Sequence, residues 1–68
     1  MLRLREIRKN RGLSQSALAK LVGVEQGSLS DLESGKRFPS FGLLIRLAKA
    51  LECSLDELVD VNADPAAS

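Results

Sequence analysis

The residue types that carry most enzyme chemistry are scarce in this chain. Its 68 residues include no histidine, one cysteine (Cys53) and two aromatic residues, Phe38 and Phe41. A Cys/His zinc cage, an intrachain disulfide and a nucleophile paired with an imidazole base are therefore excluded, and an aromatic platform for stacking bases is disfavoured. We expect a protein that is not an enzyme and that holds no metal and no cofactor.

The charged residues fall into segments of opposite sign. The formal charge is +4 over residues 1–12, +1 over 13–24, −3 over 25–35, +4 over 36–51 and −5 over 52–68, within a net charge of +1. If folding brings the two strongly basic segments together, they form a cationic patch able to bind a polyanion. Otherwise they are ordinary solvated helix faces.

The spacing of the hydrophobic residues predicts that the chain forms five helices joined by short turns. Leucine far outnumbers Ile and Val, which favours helices over strands. We predict one domain over residues 1–60, a core-facing stripe of Leu18, Leu21 and Val22, and a frayed tail over residues 61–68. The predicted helices cover about 2–11, 14–22 and 26–34, then a fourth that begins after the cap Ser40 and a fifth that begins at the Ser54–Glu57 capping box.

Residues 13–37 carry the strongest functional signal. The second helix ends near Gly23 and the third begins about three residues later, so the turn between them is short. Such a turn makes the third helix cross the second at a steep angle and project from the domain. A projecting helix fits the major groove of B-DNA, which is about 12 Å wide.

This segment resembles the helix-turn-helix of the lambda-repressor-like (Cro/cI, XRE) family of phage and bacterial regulators. The likeness covers about residues 2–60 and implies an all-α, compact five-helix DNA-binding domain. The matching pieces are Leu13-Ser14-Gln15, Leu18-Ala19, Gly23-Val24, Ser28-Leu29-Ser30, Leu32-Glu33, Gly35-Lys36, Pro39-Ser40, Leu47-Ala48-Lys49-Ala50-Leu51 and Ser54-Leu55-Asp56-Glu57-Leu58.

The resemblance also implies a role for individual residues. Gln26 is placed to form a bidentate pair with adenine, and Asp31 to accept a hydrogen bond from cytosine N4. Gln15 is implied to contact phosphate and to brace the first base-reading residue. Arg8 and Glu33 are implied to form an internal ion pair rather than to contact DNA. The expected base-reading residues are Glu25, Gln26, Gly27 and Asp31, and the expected phosphate contacts are Ser14, Gln15, Ser28, Ser30, Lys36, Arg37 and Ser40.

Three features depart from the family pattern. The third helix is acidic, so either Asp31 reads cytosine, or the flanking cations supply the affinity, or DNA binding is weak or lost. Gly27 either lets the backbone approach the groove closely or is a missing contact. Glu52 stands where the family commonly has a capping glycine, and we expect the fourth helix to continue by one residue, because a positive φ would strain Glu52.

The expected function is a sequence-specific, cytoplasmic transcriptional regulator, of repressor type and of phage or bacterial origin. Reading a palindromic operator requires a homodimer with half-sites about 34 Å apart. The candidate dimer contacts are Leu55, Leu58, Val59 and Val61, each of which is a core residue in the alternative interpretation. Leu43 and Ile45 are spare apolar surface for a partner. The rival hypothesis is an antitoxin-like or adaptor module that binds another protein.

Overall fold

In the computed structural model, which describes residues 2–59, five helices follow one another along the chain. They are α1 (Leu4–Asn10), α2 (Gln15–Val22), α3 (Gln26–Ser34), α4 (Phe41–Leu51) and α5 (Leu55–Leu58). No strand occurs within residues 2–59, where a lone antiparallel bridge joins Leu2 to Val59. The predicted all-α, five-helix fold is thus confirmed, although α1 begins two residues later than expected. The tail predicted over 61–68 lies outside the described residues.

Serine caps start three of the helices. The Ser14 hydroxyl accepts the Ala17 N–H at 3.0 Å at the start of α2, and the Ser40 hydroxyl accepts the Leu43 N–H at 3.3 Å at the start of α4. At α5, Ser54 and Glu57 form the reciprocal capping box that their spacing predicted. These bonds satisfy N–H groups that a helix start would otherwise leave without a partner.

The end of α4 differs from the prediction that the helix runs on through residue 52. The helix ends at Leu51, and Glu52 adopts the left-handed conformation (φ 54°, ψ 46°). The cost of that conformation is about 1–2 kcal/mol for an L-residue. It is offset by the Cys53 N–H, which donates to the Ala48 carbonyl at 3.0 Å, and by Arg11, which donates to the carbonyls of Leu51 at 2.7 Å and Glu52 at 3.0 Å.

The core lies between the inner faces of all five helices and is built mainly of leucine. Leu21, predicted to face it, is instead 62% exposed, because Leu18, Ala19 and Val22 already fill the inward side of α2. The buried apolar residues are Leu4, Ile7, Leu18, Ala19, Val22, Leu29, Leu32, Leu44, Leu47, Ala48, Leu51 and Leu58.

Over residues 2–59, none of the helices combines the length and the hydropathy that crossing a membrane would need.

Candidate nucleic-acid interface

The turn between α2 and α3 is short and tightly hydrogen-bonded. Gly23 ends α2 in the left-handed conformation (φ 77°), and the Val24 N–H donates back to the Ala19 carbonyl at 3.0 Å. Only Val24 and Glu25 then remain before α3 begins at Gln26. This geometry sets the direction of α3 relative to α2 without a longer loop.

One side of α3 is buried and the other is exposed. Leu29 and Leu32 pack into the core, whereas Gln26, Gly27 and Ser30 are exposed. Of the remaining candidates, Glu25 is exposed, and Ser28 and Asp31 are half-buried. The surface predicted to read bases is therefore accessible along α3.

A buried ion pair joins α1 to α3. Arg8 Nε donates to Glu33 Oε2 at 2.6 Å and Arg8 Nη2 to Glu33 Oε1 at 3.1 Å, while Arg8 Nη1 donates to the Leu13 carbonyl at 2.9 Å. The Glu33 side chain is fully buried and the Arg8 side chain is 10% exposed. The pair thus has the two parallel bonds that make an Arg–carboxylate contact strong and directional.

Two glutamine side chains continue this polar cluster toward the surface. Gln15 Nε2 donates to Glu33 Oε1 at 3.1 Å, and Gln26 Nε2 donates to Gln15 Oε1 at 3.4 Å. Gln15 is half-buried and Gln26 is exposed. A continuous polar row, Arg8–Glu33–Gln15–Gln26, therefore runs from the core to the start of α3.

The surroundings of Glu33 keep its carboxylate ionised. Burial alone would raise the pKa of Glu33, but the hydrogen bonds from Arg8 and Gln15 and the charge of Arg8 outweigh burial and lower it below its ordinary value. Arg5, whose Nε lies 3.5 Å from Glu33 Oε1, acts in the same direction. Neither the spacing of residues nor the family resemblance had indicated a role for this second arginine.

The cations predicted to contact phosphate lie just beyond the other end of α3. Lys36 and Arg37 are exposed, and their backbone N–H groups donate to the Asp31 carbonyl at 3.0 and 3.3 Å. These bonds hold the basic loop against the last turns of α3, about 12 Å along the helix from Gln26. Ser40 follows at the start of α4, where its hydroxyl serves as the cap.

Most arginines of the first basic segment have contacts with other groups of this chain. Arg3 pairs with Glu6 at 2.9 Å, Arg5 and Arg8 approach Glu33, and Arg11 binds the end of α4. The Arg8–Glu33 pair is the one that the family resemblance implied. The partner of Arg11 lies 40 residues away in sequence and was not predicted. The contacts thus give Arg8 and Arg11 a structural role, whereas the side chains of Arg3 and Arg5 remain 40% and 56% exposed.

The four candidate dimer residues have different surroundings. Leu58 is fully buried in the core, so for this residue the core alternative is correct, because a side chain with no exposed surface cannot contact a second copy. Leu55 and Val59 are half-buried and pack against the core, and Val61 lies outside the described residues. Leu43 and Ile45 are also half-buried, whereas Leu21, Phe38 and Phe41 are the large apolar residues most exposed within residues 2–59.

Comparison with known proteins identifies the family. Residues 4–58 match the family model described as Helix-turn-helix. The chain is 38% identical over 56 residues to the uncharacterized HTH-type transcriptional regulator YazB of Bacillus subtilis, over 82% of this chain and 81% of YazB.

Solved structures agree with the sequence match. The P22 c2 repressor, from a Salmonella phage and in complex with a synthetic operator, has a TM-score of 0.79 at 40% identity over 85% of this chain and 88% of that one. Bacillus subtilis SinR in complex with DNA has a TM-score of 0.79 at 34% identity over 85% of this chain and 94% of that one. Because sequence and fold agree over nearly the whole described chain, this protein belongs to the lambda-repressor-like helix-turn-helix family of DNA-binding transcriptional regulators.

Proposed function

We propose that this protein is a sequence-specific repressor that binds a palindromic operator as a homodimer, with α3 in the major groove. The observation that carries the proposal is the exposed face of α3, where Gln26 lies at one end and Lys36 and Arg37 lie beyond the other. The P22 c2 repressor and SinR were both solved with DNA, which supports double-stranded DNA as the partner here.

Base reading is assigned to the exposed start of α3 and the residues one turn on. Gln26 pairs with adenine through N6 and N7, and Asp31 accepts from cytosine N4. Glu25 and Gly27 lie beside Gln26, where they border the same base pairs. A Cβ built on Gly27 meets no atom of the protein within 4 Å, so packing within the monomer does not require glycine there.

Phosphate binding is assigned to residues at both ends of the reading surface. Lys36 and Arg37 supply charge beyond the end of α3, and the first N–H groups of α4, next to Ser40, supply further donors. Ser14 and Gln15 occupy the start of α2, and Ser28 and Ser30 offer short hydroxyl donors on α3. These contacts position the domain on the duplex without reading its sequence.

The acidic residues of α3 repel DNA phosphates less than the sequence of the helix suggests. Glu33 is fully buried and paired with Arg8, so its charge does not face a phosphate backbone. Glu25 stands at the N-cap of α3, where a negative charge complements the helix dipole. These contacts disfavour the explanation in which DNA binding is weak or lost. The proposal combines the other two, with Asp31 as a base reader and the flanking cations as the source of the affinity.

A homodimer is proposed because one α3 reads only about half a turn of DNA. Leu55 and Val59 remain the candidate contacts within the described residues, together with Val61 beyond them. The source is proposed to be a phage or a bacterium, like the sources of the P22 repressor and YazB, although similar relatives also come from archaea.

The test is selection of binding sites from random duplex DNA, followed by affinity measurements over a salt series. We expect an enriched palindrome. The Gln26→Ala substitution should relax the preference at one base position in each half-site, whereas Lys36→Ala should weaken all sequences alike and reduce the salt slope by about one contact. Lys49→Ala is the matched control, because Lys49 lies in the last turn of α4, away from Ser40. If Gln26→Ala and Lys36→Ala both weaken every site equally, the division into readers and phosphate contacts is wrong.

A protein-binding module is the second candidate function. It is favoured by the lack of Lys and Arg on α3 and by SinR, a structural neighbour that was also solved in complex with the SinI protein. If the selection enriches no DNA even at low salt, the regulator proposal fails and this alternative takes its place.

A further inference from the structure

The chemistry of the row Arg8–Glu33–Gln15–Gln26 fixes the order of its donors and acceptors. An ionised carboxylate only accepts hydrogen bonds, so the Gln15 group that faces Glu33 must be the NH₂. The Gln15 oxygen then points to the other side, toward Gln26. Because that oxygen also only accepts, the Gln26 group that faces it must be the NH₂.

We propose that Glu33 is a positioning residue for base recognition, which sets the amide orientation of Gln26 through Gln15. This inference rests on the proposed function, in which Gln26 reads a base. With one Nε2 hydrogen directed to Gln15, Gln26 presents its remaining N–H and its Oε1 in a fixed order. That order matches an acceptor beside a donor, as in adenine N7 and N6, and it does not match the two acceptors of guanine.

Without this row, the end of the Gln26 side chain would have no preferred orientation. Rotation about the Cγ–Cδ bond of glutamine (χ3) is broad and roughly two-fold, so Oε1 and Nε2 exchange places easily. The Gln15–Gln26 bond at 3.4 Å is long, but Gln15 itself is held at 3.1 Å by a carboxylate that Arg8 fixes with two bonds. The buried Glu33 carboxylate thus restrains the orientation of the exposed Gln26 amide through Gln15.

The role goes beyond joining α1 to α3. An ion pair with a purely structural role stabilises the domain and affects all DNA sequences equally. A positioning role requires in addition that the carboxylate, as an acceptor that cannot donate, determines which base Gln26 prefers. Glu33→Gln separates the two roles, because an amide of the same shape can turn either its oxygen or its NH₂ toward Gln15.

The first experiment measures affinity for operators that carry each of the four base pairs at the position that Gln26→Ala relaxes. In Glu33→Gln, the preference for adenine over guanine there should fall about tenfold, the scale of one bidentate contact. Preferences at the other positions should stay unchanged. Glu6→Gln is the matched control, since it makes the same chemical change at an exposed carboxylate paired with Arg3. Val22→Ala is the second control, because it lowers stability in the core without touching the row.

The second experiment uses the free protein, so its result does not depend on DNA binding. The side-chain NH₂ resonances of Gln15 should shift in Glu33→Gln and remain in place in Glu6→Gln and Val22→Ala. If Glu33→Gln does not fold, Gln15→Met interrupts the row at a half-buried position and should cause the same loss of adenine preference.

Each outcome decides the proposal. A Glu33→Gln or Gln15→Met protein that weakens all four base pairs equally overturns it and leaves Glu33 a purely structural role. If the wild type binds no DNA, the proposed function fails. The Gln15 resonances then decide alone, and no shift in Glu33→Gln overturns the inference.

Discussion

At the scale of single residues, the stability of the fold depends on the buried Arg8–Glu33 ion pair and its hydrogen-bond partners. The Arg8 guanidinium meets both oxygens of the fully buried Glu33 side chain and the Leu13 carbonyl. Across the same part of the chain, no buried side-chain nitrogen or oxygen lacks a hydrogen-bond partner. A buried polar cluster stabilises a fold only when it is satisfied in this way, since each unpaired member costs free energy.

Removing one partner of the ion pair should therefore be costly. Arg8→Met keeps much of the side-chain length but leaves the buried Glu33 carboxylate without its main partner. We expect the free energy of unfolding to fall by about 3 kcal/mol, measured by urea denaturation. Glu6→Gln, which breaks an exposed pair with Arg3, should change it far less. Equal losses in the two variants would show that burial of the Arg8–Glu33 pair has no energetic consequence.

The lowered pKa of Glu33 predicts how this contribution depends on pH. The folded-state pKa lies below the ordinary glutamate value of about 4.3, so folding favours the ionised carboxylate. The stabilisation is therefore fully present above that value and is lost as the pH falls through the folded-state pKa. Unfolding free energies of wild type and Glu33→Gln should differ by a constant amount from pH 7 to pH 5 and converge at lower pH. A difference that widened in acid would contradict this assignment.

At the scale of helices, the caps and ends determine where α3 lies. Gly23 and Gly35 end α2 and α3 with positive φ. Glu52 has the same type of conformation without being glycine, and Arg11 binds the carbonyls beside it. The end of α4 thus carries local backbone strain that a contact from α1 offsets.

Glycine at position 52 should relieve that strain. Glu52→Gly is expected to raise the unfolding free energy by about 0.5–1 kcal/mol, somewhat less than the αL penalty, because glycine also gains freedom in the unfolded chain. Gly23→Ala is the matched opposite change: no atom lies within 4 Å of the added Cβ, so its expected loss of about 1 kcal/mol comes from φ alone. Thermal unfolding of both variants checks the pair. A Glu52→Gly protein that melts below wild type would show that the Glu52 side chain contributes more than its backbone costs.

At the scale of the whole molecule, folding redistributes the charges that the sequence displays. Arg3, Arg5, Arg8 and Arg11 contact acidic groups or carbonyls of this chain, while Lys36 and Arg37 remain exposed near the end of α3. Pairing with Glu6 and Glu33 therefore offsets part of the positive charge of the first basic segment. In the homodimer proposed above, a second copy would double the phosphate contacts that Lys36 and Arg37 supply to one operator.

Cooperation between two copies predicts a strict dependence on the spacing of half-sites. Inserting 5 base pairs at the centre of the selected palindrome turns one half-site to the opposite side of the duplex and should abolish cooperative binding. Inserting 10 base pairs returns the two half-sites to the same side of the duplex, so a remaining loss of cooperativity is due to their greater separation. The measurement is the affinity and Hill coefficient in a gel-shift titration. Non-cooperative binding to all three DNA duplexes, the uninterrupted palindrome included, would contradict the homodimer.

Much of the architecture could be predicted from the sequence, because its signals act over short distances. The glycines at turns, the serine caps and the leucine spacing place the starts of all five helices to within two residues of those observed. The short turn at Gly23 likewise predicts that α3 crosses α2 at a steep angle. Leu21 was misplaced because helical periodicity gives one apolar face, and only packing shows which positions at its edge are covered.

The sequence by itself therefore determined a five-helix domain without histidine, a helix-turn-helix within it and a set of candidate DNA-contacting residues. Tertiary structure alone decided which arginines remain available, why Glu52 tolerates a positive φ, and how Gln15 and Gln26 connect to Glu33. The physical reason is distance along the chain. Capping and periodicity involve residues three or four apart, whereas the contacts of Arg8 and Arg11 join groups 25 and 40 residues apart, whose pairing depends on how the helices pack.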